Sequence, residues 1–244
     1  MRERIQKREQ VGATMFGGRF HANKPVVGGR TARGAPASST FYWSHAVTTG
    51  DCEFGLHAHQ GFEIMTFVLE GENAHYDTET RRWTPLHAGD FQVIQSGSGI
   101  SHGERIAAGT RAFQIWFDPE LRRAVARPPA YADYPSGTHA EVTEGAIAVT
   151  EWVGGRGVRA ATEGLAVRKL AFTTSGEATL PLAAGQRYAL YVIDGPVSVD
   201  GTALGRDDLL NASGGAIRVE GDAGAALFLV ETPLAPSYAP VIQR

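Results

Sequence analysis

From Phe41 onward the chain alternates short apolar and polar stretches rather than repeating every three or four residues. The runs are FYWSHAV, CEFGLHAHQ, GFEIMTFVLEG, ENAHYD, WTPLHAGD, DFQVIQS, GISHGERI and RAFQIWFD. Each has strand length, is rich in β-branched and aromatic residues, and ends at a turn such as Glu70-Gly71 or Gly89-Asp90. Short strands at this spacing predict an all-β domain, a barrel or a sandwich. If the strand through residues 57–69 is continuous, His57, His59, Glu63, Met65, Phe67 and Leu69 share one face, with Phe62, Ile64, Thr66 and Val68 on the other. Both faces are apolar, so the outer one needs a cover.

The pattern breaks over 118–145, where DPELRRAVARPPAYADYP allows a helical turn and then stops at Pro128-Pro129. Strand texture resumes with AIAVTEWV, LAVRKLAF, RYALYVIDG, PVSVDG, DDLLNASGG, AIRVEGD and AALFLVE. The expected division is an irregular segment with an edge strand over 1–40, a metal-binding barrel over 41–125, a linker over 126–145 and a metal-free second barrel over 146–244. The halves read as repeats, with VLEG at 68–71 matching VIDG at 192–195. Counting back from the glycines, His57 and His59 correspond to Pro181 and Ala183, and no histidine follows His139.

Chemistry concentrates in two clusters. His57 and His59 lie in HAHQGFE, and His102 and Glu104 in SGISHGE. Spacing of i, i+2 on a strand puts both members of a pair on one face. Two such strands side by side aim three imidazoles and a carboxylate at one point. That donor set suits a divalent transition metal with positions left open for water, substrate or oxygen. His21, His45, His75 and His87 lie in no such pair and read as surface or strand-end residues. Phe113, Trp116, Met65 and Phe67 read as core.

Composition excludes more than it assigns. A net charge of −3 gives no electrostatic case for nucleic acid. Cys52 is the one cysteine, so no intrachain disulfide can form. No apolar run approaches the ~18 residues of a membrane span, and MRERIQKREQ lacks the apolar centre of a signal peptide. The expectation is a cytoplasmic protein without a membrane partner.

HAHQGFEIMTFVLEGENAHYD followed by AGDFQVIQSGSGISHGE resembles the pirin family of the cupin superfamily, closely over residues 50–118 and more loosely through VIDGPVSVDG. The resemblance implies a bicupin, two jelly-roll β-barrels in one chain with metal in the first. It implies His57, His59, His102 and Glu104 as ligands, and Fe as the ion, with Ni, Mn, Co, Cu and Zn also compatible. It implies either a quercetin 2,3-dioxygenase acting on a flavonol and O2, or a regulator with protein partners that works through its metal, or a small-molecule sensor. The sequence departs from the family pattern in HAH for HPH and in Gly103 for Ser or Ala. The general cupin motif would instead make Glu63 the carboxylate ligand. With Glu104 in that role, Glu63 becomes a neighbouring group, and either carboxylate could serve as the base.

Overall fold

The computed structural model describes residues 2–241. They form two compact units. One holds Val11–Thr138 with the segment from Tyr238; the other holds the segment up to Gln10 with His139–Ser237. No described helix is long and apolar enough to cross a membrane.

The chain opens with β1 (Arg2–Ile5), which belongs to the second unit. The first unit then runs β2 (Val11–Met15), β3 (Phe20–Val27), β4 (Arg30–Thr31), β5 (Thr40–Thr48), β6 (Cys52–His59), β7 (Glu63–Glu70), β8 (Glu72–Asp77), β9 (Trp83–His87), β10 (Phe91–Gln95), β11 (Ile100–Ile106) and β12 (Arg111–Phe117), then the helix α1 (Leu121–Val125) and β13 (Ala130–Tyr134). One sheet has the order β13-β10-β7-β12-β5-β3-β2, with β4 on β3; a smaller sheet has the order β6-β11-β8-β9. All pairings are antiparallel.

The two sheets face each other, and β11 shows how the interior is divided. Its inward positions run Ile100, His102, Glu104, Ile106. Ile100 packs with Ile64 and Ile94 of the large sheet. Ile106 packs with Phe20, Ala22, Ala46 and Cys52. Apolar plugs thus close both ends, and a polar belt lies between them. Across the large sheet the belt continues through Thr66, Gln114 and Ser44, which are directly paired on neighbouring strands and so share a face.

Several expectations change here. Residues 1–40 are not irregular: β1 to β4 occupy much of that span. The expected linker over 126–145 holds β13, paired with β10, and the whole of β14 (Ala140–Glu144), paired with β15 (Ile147–Val153). Aromatic packing accounts for β13, since Tyr131 stacks on His75 and Tyr134 on Phe91. The strand through 57–69 is broken at Gly61, whose φ of 80° is a conformation that favours glycine. The break resets the alternation. Met65 and Phe67 therefore pair with Ile115 and Phe113 on the far face of the sheet, whereas Ile64 and Thr66 face inward.

The second unit continues with β16 (Ala166–Phe172), β17 (Gly176–Pro181), β18 (Gln186–Asp194), β19 (Val197–Val199), β20 (Thr202–Leu204), β21 (Leu209–Ala212), β22 (Ala216–Gly221) and β23 (Ala226–Pro233). Its sheets have the orders β1-β21-β18-β23-β16-β15-β14 and β17-β22-β19-β20. Strand for strand this repeats the first unit, with β18 in the place of β7 and β17 in the place of β6. The VLEG and VIDG turns coincide, Gly71 and Gly195 having φ of 76° and 67°. The interior differs. Leu182, Leu190, Val199, Leu210, Ile217 and Val219 fill it with aliphatic side chains.

Candidate metal centre

β6 and β11 carry the two histidine clusters and pair directly, His57 opposite His102 and His59 opposite Ile100. The register then shifts: Glu104 lies opposite Phe54, so two steps on β11 match three on β6. This is a β-bulge in β6 at Gly55-Leu56. It allows Phe54 and His57, three residues apart, both to point inward. Gly103 faces the bulge, and a Cβ there would stand 3.0 Å from the Phe54 carbonyl oxygen. The glycine that departs from the family pattern thus sits where a side chain would crowd the opposite backbone.

The three imidazoles converge. Ring centroids lie 4.4 Å apart for His57–His102 and 4.9 Å for both His57–His59 and His59–His102. One ligand atom from each lies within 4.8 Å of the others. His57 Nδ1 donates to the Gly55 carbonyl at 2.8 Å, which leaves Nε2 as its free lone pair. The bulge supplies that acceptor.

The other two imidazoles show that the residues fit a metal. His102 is fully buried, and neither of its nitrogens has a hydrogen-bond partner; buried His59 Nε2 has none either. A buried polar atom left without a partner costs about 1–3 kcal/mol. A metal bound by these nitrogens removes that cost. Burial, reinforced by the neighbouring His57, lowers the pKa of His59 to about 4. Burial with His57, His59 and His75 around it lowers that of His102 to about 2. At neutral pH both rings therefore offer lone pairs with no proton to displace.

The two carboxylates expected at the site behave differently. Glu104 is buried beside the cluster but outside the group of three, because the bulge carries it one step further along β6. Its two oxygens accept from Gln114 Nε2 at 2.9 and 3.0 Å. Burial raises its pKa, against the lowering effects of the Gln114 amide, His57 and the Asn73 side chain. Glu63 is not at the site. It lies on the face of β7 opposite Thr66 and accepts from Gln95 Nε2 at 3.0 Å.

Other histidines also depart from the surface reading. His75 is fully buried, bonds Asp77 through Nε2 at 3.0 Å, and has its ring centroid 5.4 Å from that of His102. His45 is buried against Phe113. His87 is exposed, as expected. Trp116 does more than fill core, its ring lying 4.6 Å from that of His59.

A cavity of about 150 Å³ opens beside His57 and Glu104, with Phe20, Lys24, Tyr42, Phe54, Thr66 and Gln114 among its walls. Sequence reading missed Lys24, Tyr42 and Gln114. The signal for Gln114 was available: in RAFQIWF it shares parity with Ala112 and Trp116 and is a polar residue amid inward apolar ones.

The repeated β-sandwich and the imidazole cluster held in only its first cup define a bicupin. Residues 30–117 match the Pirin family model, and the chain belongs to the pirin family. A Pasteurella multocida protein named "Putative quercetin 2,3-dioxygenase" is 31% identical over 167 residues, 66% of this chain and 66% of that protein. The Escherichia coli K12 protein named quercetin 2,3-dioxygenase is 40% identical over 70 residues, 28% of this chain and 30% of its own length. The chain thus aligns with just under two thirds of the first relative and under a third of the second. Among solved structures, quercetin 2,3-dioxygenase from Acinetobacter baumannii superposes with a TM-score of 0.83 at 19% identity, covering 95% of this chain and 79% of that one. The bacterial pirin YhhW from Escherichia coli, in complex with nickel(II), superposes with a TM-score of 0.78 at 20% identity, covering 96% and 100%.

Proposed function

We propose that this chain is a metal-dependent dioxygenase that opens the ring of a flavonol such as quercetin with O2, releasing carbon monoxide. The observation that carries the reading is the set of buried imidazole nitrogens without partners, placed beside a cavity that also holds a buried carboxylate. His57, His59 and His102 would hold one divalent ion, Fe being the expected one, with Glu104 at the edge of its coordination shell. The ion would supply Lewis acidity toward the 3-hydroxyl and neighbouring carbonyl of the flavonol. The protein's own work is placement and proton transfer. Phe20, Phe54 and Tyr42 give flat walls for an aromatic ligand. Glu104, a stronger base for being buried, takes the 3-hydroxyl proton on Oε1 or Oε2, while the Gln114 amide holds the carboxylate in place. A cytoplasmic location belongs to the same reading.

Oxygen uptake and carbon monoxide release, measured with a flavonol panel on metal-loaded protein, test this. Loaded protein that consumes no oxygen with quercetin would exclude the substrate. We also expect one metal equivalent per chain after reconstitution. In the second unit the pair in the place of His57 and His102 is Leu180 and Ile217, both aliphatic, whereas Pro181, the residue expected there, is exposed. A second equivalent bound in that unit, seen by metal analysis of the His102→Ala variant, would contradict the assignment.

A further inference from the structure

The walls of the cavity carry a single permanently cationic side chain, Lys24. It comes from β3, whose register against β5 shifts between Asn23 and Val26. Before the shift, Phe20 and Ala22 pair with Thr48 and Ala46; after it, Val26 pairs with Trp43. Lys24 is the last residue of the inward set, and Pro25, which has no N–H to give a neighbouring strand, accommodates the irregularity. The lysine is half-buried. Its ammonium stands 5.5 Å from the centroid of the Tyr42 ring. Among the described residues no carboxylate lies within ion-pairing distance of it. Glu104, in the same cavity, is engaged by Gln114.

A half-buried ammonium beside aromatic walls, with no carboxylate at ion-pairing distance, is suited to an anionic oxygen on a flat ligand. We propose that Lys24 makes this cavity select aromatic ligands that carry an ionised oxygen, a carboxylate or a phenolate. This rests on the cavity being the substrate site. It adds to the flavonol reading a requirement for charge, and it assigns a role to the N-terminal strands.

Two binding measurements on the full chain, metal-loaded and chelated, test it by fluorescence quenching. The first compares 2-naphthoate with 2-naphthamide and reads a carboxylate. The second compares quercetin at pH 6 and at pH 8.5 and reads an ionised phenol. In at least one arm the anion is expected to bind about fivefold to tenfold more tightly than its neutral counterpart, as for a partly desolvated charge-assisted contact. The preference should fall to about unity in Lys24→Met and persist in Lys24→Arg. Which arm shows it identifies the anionic group. A preference that survives Lys24→Met overturns the proposal, and so does no preference in either arm, including no binding of any probe. Failure of the flavonol reading is separable: it appears as absent oxygen uptake while the naphthoate preference and its loss in Lys24→Met remain.

Discussion

His102→Ala is expected to leave the protein folded and unable to hold metal. The imidazole is fully buried and makes no hydrogen bond, so its removal breaks no polar contact within the chain. What is lost is one of three converging nitrogens. Disturbing groups that merely orient a ligand weakens metal affinity by about 10–100-fold, so losing a ligand should cost roughly 10²-fold or more. Metal analysis should find the variant nearly empty under conditions that fill the parent. The parent should melt at a higher temperature when metal is added, since an ion at 100 times its Kd stabilises by about 2.7 kcal/mol. The variant should show no such rise, while the two proteins stripped by chelator should melt at similar temperatures. His87→Ala, at an exposed position on β9, is the matched control. Full metal occupancy in His102→Ala would refute the three-imidazole assignment.

Glu104→Gln is expected to separate metal binding from turnover. The amide fills the same volume and still accepts from Gln114, so the fold and the three imidazoles should be undisturbed. It cannot take a proton. Removing a positioned general base lowers turnover by roughly 10²–10⁴-fold, so kcat should drop by that factor with metal content unchanged. The pH profile supplies the sign. Glu104 acts as a base only when ionised, and burial raises its pKa. Turnover of the parent should therefore rise with pH through a limb displaced upward from the ordinary carboxylate range, and Glu104→Gln should lack that limb. Glu63→Gln, across the sheet, should leave kcat within a few-fold of the parent. A large loss there, with Glu104→Gln active, would assign the base to the wrong carboxylate.

Much of this site is legible in the sequence because strand periodicity is a strong local rule. The i, i+2 spacing of His57–His59 and His102–Glu104 places each pair correctly on its strand. The rule fails where the backbone departs from it. At Gly61 the chain turns, and parity carried through the turn puts Glu63, Met65 and Phe67 on the wrong face. At Gly55-Leu56 one extra residue moves Glu104 past the point where His57 and His102 meet. A bulge depends on what the opposite strand allows, here the missing Cβ of Gly103, and no single segment reveals it. His75 was misread for a related reason: its burial comes from Tyr131, on a strand that a Pro-Pro break had disguised as a linker. Of the N-terminal strands, β1, β2 and β4 were hidden by their shortness, and β3 by the glycines of GGRF before it and Pro25 within it.

The pairing of β1 with β21 sets the order in which the chain can be completed. Arg2 faces Ala212 and Ile5 faces Leu209, and the strand is fastened by Arg4 to Asp208 at 2.8 Å and by Lys7 to Asp207 at 2.7 Å. Residues 2–5 thus wait for partners about two hundred positions later in the chain. At roughly 5–20 residues per second, that is ten to forty seconds of synthesis. During it residues 11–138 can form their own sheets, whereas the sheet of the second unit gains its edge strand only once residues 209–212 have met residues 2–5. Separating the units by a cut near residue 138 would therefore strand β1 on the wrong fragment. It would also leave β21 with an open edge, the kind of surface through which β-sheet proteins aggregate.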